Sequence, residues 1–246
     1  MKTPDADRLS QISTNWQEVF DARSASADSA RSGQHTLVLR YCGAVYHYLL
    51  TATGDVHAAD DLVQEFALRF VRGDFHRAEP AKGRFRDFIK TVLYHLVVDH
   101  FRARKRSHQS LPDEDSLPDP ASRGESSNAV FVRHWRQEIL NRTWQELQHI
   151  GGSGFFEVLR WKASNPDGRA ADGARELTLL TQREITPAGF RQTLLRAREQ
   201  FAELLIHEVT YSLGTADPGP VEQELAELEL IDYCRPILTR LSSVKG

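Results

Sequence analysis

The stretch Phe85-Arg86-Asp87-Phe88-Ile89-Lys90-Thr91-Val92-Leu93-Tyr94-His95-Leu96-Val97-Val98-Asp99-His100-Phe101-Arg102-Ala103-Arg104-Lys105-Arg106 decides the fold. Phe85, Phe88, Ile89, Val92, Leu93, Leu96, Val97 and Phe101 recur at intervals of three and four, the spacing that lines one side of a helix for about six turns. The other side is read as polar, with Arg86, Lys90, Tyr94, His95 and Arg102, and the helix ends in the basic run Arg102 to Arg106.

Outward from this helix almost every segment also has helical periodicity. Upstream, Leu37, Tyr41, Ala44, Val45, Tyr48 and Leu49 form one stripe, which Thr53-Gly54-Asp55 breaks. A helix then resumes over 58–71, with Leu62, Phe66 and Phe70 on one stripe and Asp61, Gln64, Glu65 and Leu68 on another face. Residues 73–83 read as a loop. Three helices with matching apolar stripes make a compact bundle. Downstream, 107–128 is rich in proline and acid (Leu111-Pro112-Asp113-Glu114-Asp115-Ser116-Leu117-Pro118-Asp119-Pro120), the composition of a linker. Helices are expected again over about 129–148, 155–163, 174–183 and 187–208, followed by a short acidic helix over 221–230 and a proline-interrupted end around Pro236. A short amphipathic piece is expected near the start, at 16–22.

The net charge of -3 hides a segregation. From Arg84 to Arg106 seven basic and two acidic residues leave +5, whereas Asp217 to Asp232 holds six acids and no base. Local charge sets where a polyanion binds. Hydrophobic content of 40% and charged content of 26% are those of a globular domain. No apolar run approaches the roughly 20 residues of a membrane span, and the start of the chain lacks a signal-peptide core. Cys42 and Cys234 suggest no disulfide framework. The protein is therefore expected in the cytoplasm, with no membrane partner.

An enzyme or metal site finds little support. Asp60, Asp61, Glu65, His95, Asp99 and His100 are the best candidates for a carboxylate–histidine cluster, yet neither helix carries Glu-x-x-His. Asp99 and His100 are adjacent and so point about 100° apart. His-Glu-x-x-His, Gly-x-x-x-x-Gly-Lys and Gly-x-Ser-x-Gly motifs are missing. No catalytic residue, metal or cofactor is expected.

A second motif lies at Glu184-Ile185-Thr186-Pro187-Ala188-Gly189-Phe190-Arg191-Gln192-Thr193-Leu194-Leu195-Arg196-Ala197-Arg198. Thr186 suits an N-cap and Pro187 the first helical position. Phe190, Leu194, Ala197, Phe201 and Leu205 give the helix a buried side. Thr186, Ala188, Arg191, Gln192, Leu195, Arg196 and Arg198 are left to face outward. Arginine and glutamine pair bidentately with base edges, and arginine also holds phosphate. The pattern is that of the turn and second helix of a helix-turn-helix, although 183–186 lacks the glycine common in such turns.

Together these residues resemble the sigma-70 superfamily of RNA polymerase sigma factors, in particular the extracytoplasmic-function-like group. Asp61-Leu62-Val63-Gln64-Glu65-Phe66-Ala67-Leu68-Arg69 is similar to that group's core-binding helix in region 2, and Phe85 to Arg106 to its DNA-melting helix, including Asp99 and Arg102 as an Asp-x-x-Arg pattern. The likeness extends to Leu39 to Tyr46, Gly73-Asp74-Phe75 and Lys82 to Arg86. It departs at His95, where an asparagine is often found, and at Thr193, often a basic residue. The resemblance implies an all-α protein of two small helical domains, a region 2 bundle and a region 4 helix-turn-helix, joined by an acidic flexible linker. Its parts would be an N-terminal extension (1–30), region 2 (31–106), the linker (107–128), region 4 (129–212) and an acidic C-terminal extension (213–246). In the linker Asp113, Glu114, Asp115 and Asp119 would mimic a polyanion along a path through the polymerase.

The implied partners are core RNA polymerase, promoter DNA in duplex and melted form, and an anti-sigma factor or other regulator. Core binding falls to Asp61, Leu62, Gln64, Glu65, Leu68 and Arg69. Melting falls to Arg86, Lys90, Tyr94, His95, Arg102, Arg104, Lys105 and Arg106, since aromatic faces and a cationic track capture unpaired bases. The alternative is a helix-turn-helix regulator or sigma/anti-sigma interaction protein without initiation activity.

Overall fold

A computed structural model describes residues 38–72, 84–108, 120–150 and 154–244, and among them every regular element is a helix. In chain order these are α1 (Cys42–Thr53), α2 (Val56–Arg72), α3 (Phe85–His108), α4 (Pro120–Ile150), α5 (Phe155–Ser164), α6 (Ala170–Thr181), α7 (Pro187–Leu213), α8 (Pro218–Glu227) and α9 (Ile231–Val244). The all-α expectation holds. The amphipathic piece at 16–22, the loop at 73–83 and the linker acids Asp113, Glu114, Asp115 and Asp119 lie outside the described residues.

The chain divides into two compact units, Met1–Glu138 and Ile139–Gly246. In the first, Gly54 ends α1 in the left-handed conformation (φ 67°), its amide donating to the Leu50 carbonyl. Asp55 then opens α2 by accepting from the backbone N–H of His57 at 2.8 Å. Tyr48 and Leu49 of α1, Leu62 and Phe66 of α2, and Ile89, Leu93 and Leu96 of α3 are all buried in the core. The stripe read from α3 is the one that faces inward.

The start of α4 differs from the expectation. Residues 120–128, read as linker, are helical, and the stretch up to Glu138 belongs to the first unit. Pro120 is the first residue of that helix, where its missing N–H has no partner to lose. Ser127, Phe131 and Trp135 are buried at four-residue spacing, so packing overrides the linker-like composition. The Trp135 ring stacks on Tyr41 (centroids 3.6 Å, 13°), His134 stacks on His47 (3.6 Å, 12°), and Phe131 meets Tyr48 edge-on (6.1 Å, 88°).

In the second unit, Val158 and Trp161 of α5, Ala174 and Leu177 of α6, and Phe190 of α7 form one cluster, with Ile185 and Leu194 against it. Gly173 is required there: a Cβ would lie 2.5 Å from Cε2 of Phe190 and 2.8 Å from the Trp161 ring. Alanine would be the better helix former, but the close approach of α6 to α7 decides the residue. The indole N–H of Trp161 donates to Glu176 at 2.7 Å.

The C-terminal segment packs into this unit. Val221, Leu225, Leu228, Leu230, Cys234 and Ile237 are buried, and Arg240 pairs with Glu203 of α7 at 2.5 Å. Burial pushes the Cys234 thiol up to about 12, so it behaves as a packing residue and not as a nucleophile. Pro236 was expected to interrupt the chain end; α9 runs through it instead. Buried Cys234 and Ile237 hold the helix on both sides of the proline, which compensates for its lost hydrogen bond.

Candidate nucleic-acid interface

Three helix faces hold the residues singled out by sequence. On α2, Asp61, Gln64 and Leu68 are exposed and Glu65 and Arg69 are half-buried, one continuous outer stripe. Arg69 donates to Glu65 one turn away, whereas Asp61 makes no ion pair among the described residues. Leu68 places an apolar spot among these charges. Leu62, which the family resemblance includes in core binding, is buried, as its place on the apolar stripe implies. It stands three residues from Ala59 and four from Phe66, inside the core stripe, and its part is to hold the helix.

On α3 the polar residues are ordered by carboxylates. Arg84 Nε lies 2.9 Å from Asp87 and Lys90 Nζ 3.3 Å from the same group. Tyr94 is 47% exposed and meets His95, also exposed, at 5.6 Å between ring centroids. Arg102 lies 3.9 Å from Asp99 and is exposed like Arg104 and Arg106. The side chain of Lys105 lies outside the described residues. Arg86 was assigned to the polar side and is buried. Its position explains this: Ile89 and Leu93 follow it by three and seven residues, so 86 belongs to the inward stripe. On α1, burial first and then the neighbouring Tyr94 push the Tyr48 hydroxyl up to about 12.

The third face belongs to α7. The connection from α6 is residues 182–186, and Gln182 takes the left-handed conformation (φ 54°) that a glycine would adopt more readily. The Thr178 hydroxyl compensates, accepting from the Ile185 N–H at 2.9 Å while donating to the Ala174 carbonyl at 2.7 Å. Thr186 caps α7, accepting from the Gly189 N–H at 3.0 Å, with Pro187 in the first turn. Thr186, Ala188, Arg191, Gln192, Leu195, Arg196 and Arg198 are all exposed, and Leu195 is 61% so. Arg191, Arg196 and Arg198 make no ion pair among the described residues. Leu179 and Leu180 of α6 are 76% and 71% exposed and carried no role in the sequence reading. The run Leu177-Thr178-Leu179-Leu180 was the signal, because only one of three near-adjacent leucines can face a core.

Among the described residues no cluster of three His, Cys, Asp or Glu side chains is arranged to hold a metal, and no helix is long and apolar enough to cross a membrane. What the three faces offer is binding: a mixed acidic and apolar stripe, a basic face with an exposed aromatic pair, and a helix start with unpaired arginines.

Residues 37–107 match the family model for Sigma-70 region 2. No curated protein and no solved structure matches the chain. The matched stretch contains α1, α2 and α3 as far as residue 107, so this part of the first unit is similar to Sigma-70 region 2.

Proposed function

We propose that the protein is a transcription initiation factor of the extracytoplasmic-function-like kind, acting in the cytoplasm by binding and not by catalysis. The α2 stripe docks on core RNA polymerase, the α3 face holds the melted downstream promoter element, and α6 with α7 reads the upstream element as a helix-turn-helix. An anti-sigma factor would compete for the same faces.

The observation that carries this reading is the coincidence of the Sigma-70 region 2 match with a helix whose outer stripe is built to bind. Asp61, Gln64, Glu65 and Leu68 project away from the core that Leu62 and Phe66 anchor. Carboxylates around one exposed leucine suit a basic partner surface with an apolar spot. On α3, the cations and the exposed Tyr94 with His95 supply phosphate contacts and stacking surfaces for unpaired bases. On α7, the first two turns present Arg191 and Gln192 as groove-entering residues do. Leu62 and Arg86 are left out of these contacts because both are buried.

Charge reversal tests the polymerase assignment. Asp61→Lys with Glu65→Lys should lower recovery of core enzyme at least about tenfold, by like-charge repulsion across the contact, with the helical circular-dichroism signal unchanged. Full recovery by the double variant would remove α2 from the interface.

A further inference from the structure

The second unit carries an open cleft of about 470 Å³ that borders the α7 face and shares Arg198 with it. Its walls come from separate stretches of chain: Trp144 of α4, Leu159 of α5, Phe201 and Leu205 of α7, and Leu230 and Tyr233 of the C-terminal segment. The aromatic rings interlock, with Trp144 and Phe201 4.8 Å apart at 55° and Phe201 and Tyr233 5.6 Å apart at 85°. A space of this size, lined mostly by apolar and aromatic groups, falls in the range of small-molecule sites.

Only two charged residues line it, Lys162 and Arg198, and both are cationic. Lys162 is aimed by two carbonyls, donating to Pro166 at 2.7 Å and Gly168 at 2.9 Å, which leaves the third ammonium proton for another acceptor. Arg198 is exposed and makes no ion pair among the described residues. It stands three and seven residues before Phe201 and Leu205, on the stripe that faces the cavity. Its charge reaches the Tyr233 hydroxyl, pulling against the burial that pushes that group up to about 12. An apolar cleft with two cations and no carboxylate in its lining is complementary to one kind of molecule.

We propose that this cavity binds an apolar monoanion, a small hydrocarbon or aromatic body bearing one carboxylate or sulfonate, with the body against Trp144, Leu159 and Phe201 and the anionic head on Lys162 and Arg198. The C-terminal segment then has a task beyond packing, since Leu230 and Tyr233 complete the wall. Arg198 is shared with the α7 face, but the test of this site involves neither DNA nor polymerase, so its failure is distinguishable from a failure of promoter reading.

The probe is 1-anilinonaphthalene-8-sulfonate, with neutral N-phenyl-1-naphthylamine as its uncharged counterpart, both titrated into the full chain. One saturable site is expected for the sulfonate, with energy transfer from tryptophan. Lys162→Gln with Arg198→Gln should weaken the sulfonate about tenfold or more, the loss expected for charge-assisted hydrogen bonds, and leave the neutral probe unchanged. Ala163→Trp, at an exposed helix position on the cavity lining, should abolish binding of both, with an unchanged circular-dichroism spectrum. Sulfonate binding that survives Ala163→Trp would overturn the proposal. So would equal loss of both probes on removing the two charges.

Discussion

The outer faces of α3 and α7 use the same residue types in different electrostatic states. At α3, Arg84 just before the helix and Lys90 within it share the Asp87 carboxylate, and Arg102 lies near Asp99. On α7, Arg191, Arg196 and Arg198 make no ion pair among the described residues. A paired cation must give up its internal carboxylate to hold a phosphate, which offsets part of the gain. An unpaired one releases counterions to solution when phosphate binds. Under the proposed function the two helices would serve different steps: α7 holding duplex before opening, and α3 making contacts that form when a strand is already close. Exposed pairs such as Arg102 with Asp99 contribute at most a few tenths of a kcal/mol to folding, so their effect lies in tuning binding.

The largest expected effect tests the scaffold beneath α7. Phe190 is fully buried against Gly173 and Trp161. Phe190→Ala should lower the free energy of unfolding by about 3–5 kcal/mol, read from urea denaturation, and should abolish upstream DNA binding while core polymerase is still recovered. Equal loss of both activities would mean that the faces do not act separately.

Next in size is the comparison of single cations. Arg191→Ala should cost about 1–3 kcal/mol in upstream binding, relax preference at one base pair and reduce the salt slope by about one. Lys90→Ala should reduce the slope of closed-complex binding less, because Lys90 already holds Asp87. The measurement is affinity against salt concentration for each variant, with selection on randomised upstream elements. Equal slopes would erase the distinction between the two helices.

The smallest effect concerns how the helices begin. Asp55 caps α2 with a carboxylate, and Thr186 caps α7 with a hydroxyl. The backbone N–H groups of His57 and Ala58 lower the Asp55 pKa from its ordinary 3.8. A lowered folded-state value stabilises the fold above the unfolded value, and that stabilisation disappears as pH falls through the folded value. Asp55→Ala should therefore melt at a lower temperature than the parent at neutral pH, and the gap should close in acid below that range. Thr186→Ala should leave a gap that does not change with pH.

Much of this organisation was legible along the chain, and the failures have common causes. The inward stripe of α3, the cap at Thr186 and the break at Gly54 follow from spacing and local backbone chemistry, which any ten-residue window contains. Arg86 was placed by residue type, although its spacing to Ile89 already put it inside, and Leu62 took a binding role from its motif although its spacing to Phe66 kept it on the core stripe. The start of α4 was hidden by the proline- and acid-rich sequence leading into it, yet Ser127, Phe131 and Trp135 at four-residue intervals were a readable core stripe. Pro236 misled in the same way, because tertiary packing of Cys234 and Ile237 outweighs one lost hydrogen bond. The cavity was not legible at all. Trp144, Lys162, Arg198 and Tyr233 come from four separate helices, and no local pattern announces that they line one space.

The most direct test of the central claim is reconstituted transcription: the purified chain with core RNA polymerase on a promoter chosen by selection, with permanganate reporting unpaired thymines. The account expects a specific run-off transcript that depends on this chain. It also expects that Tyr94→Ala with Lys90→Ala keeps the closed complex while losing permanganate reactivity around the start site, since stacking and phosphate contacts on α3 are gained only on unpaired strands. A chain that binds DNA on its own, yet neither associates with core enzyme nor yields a transcript, would contradict the claim and leave a DNA-binding regulator in its place.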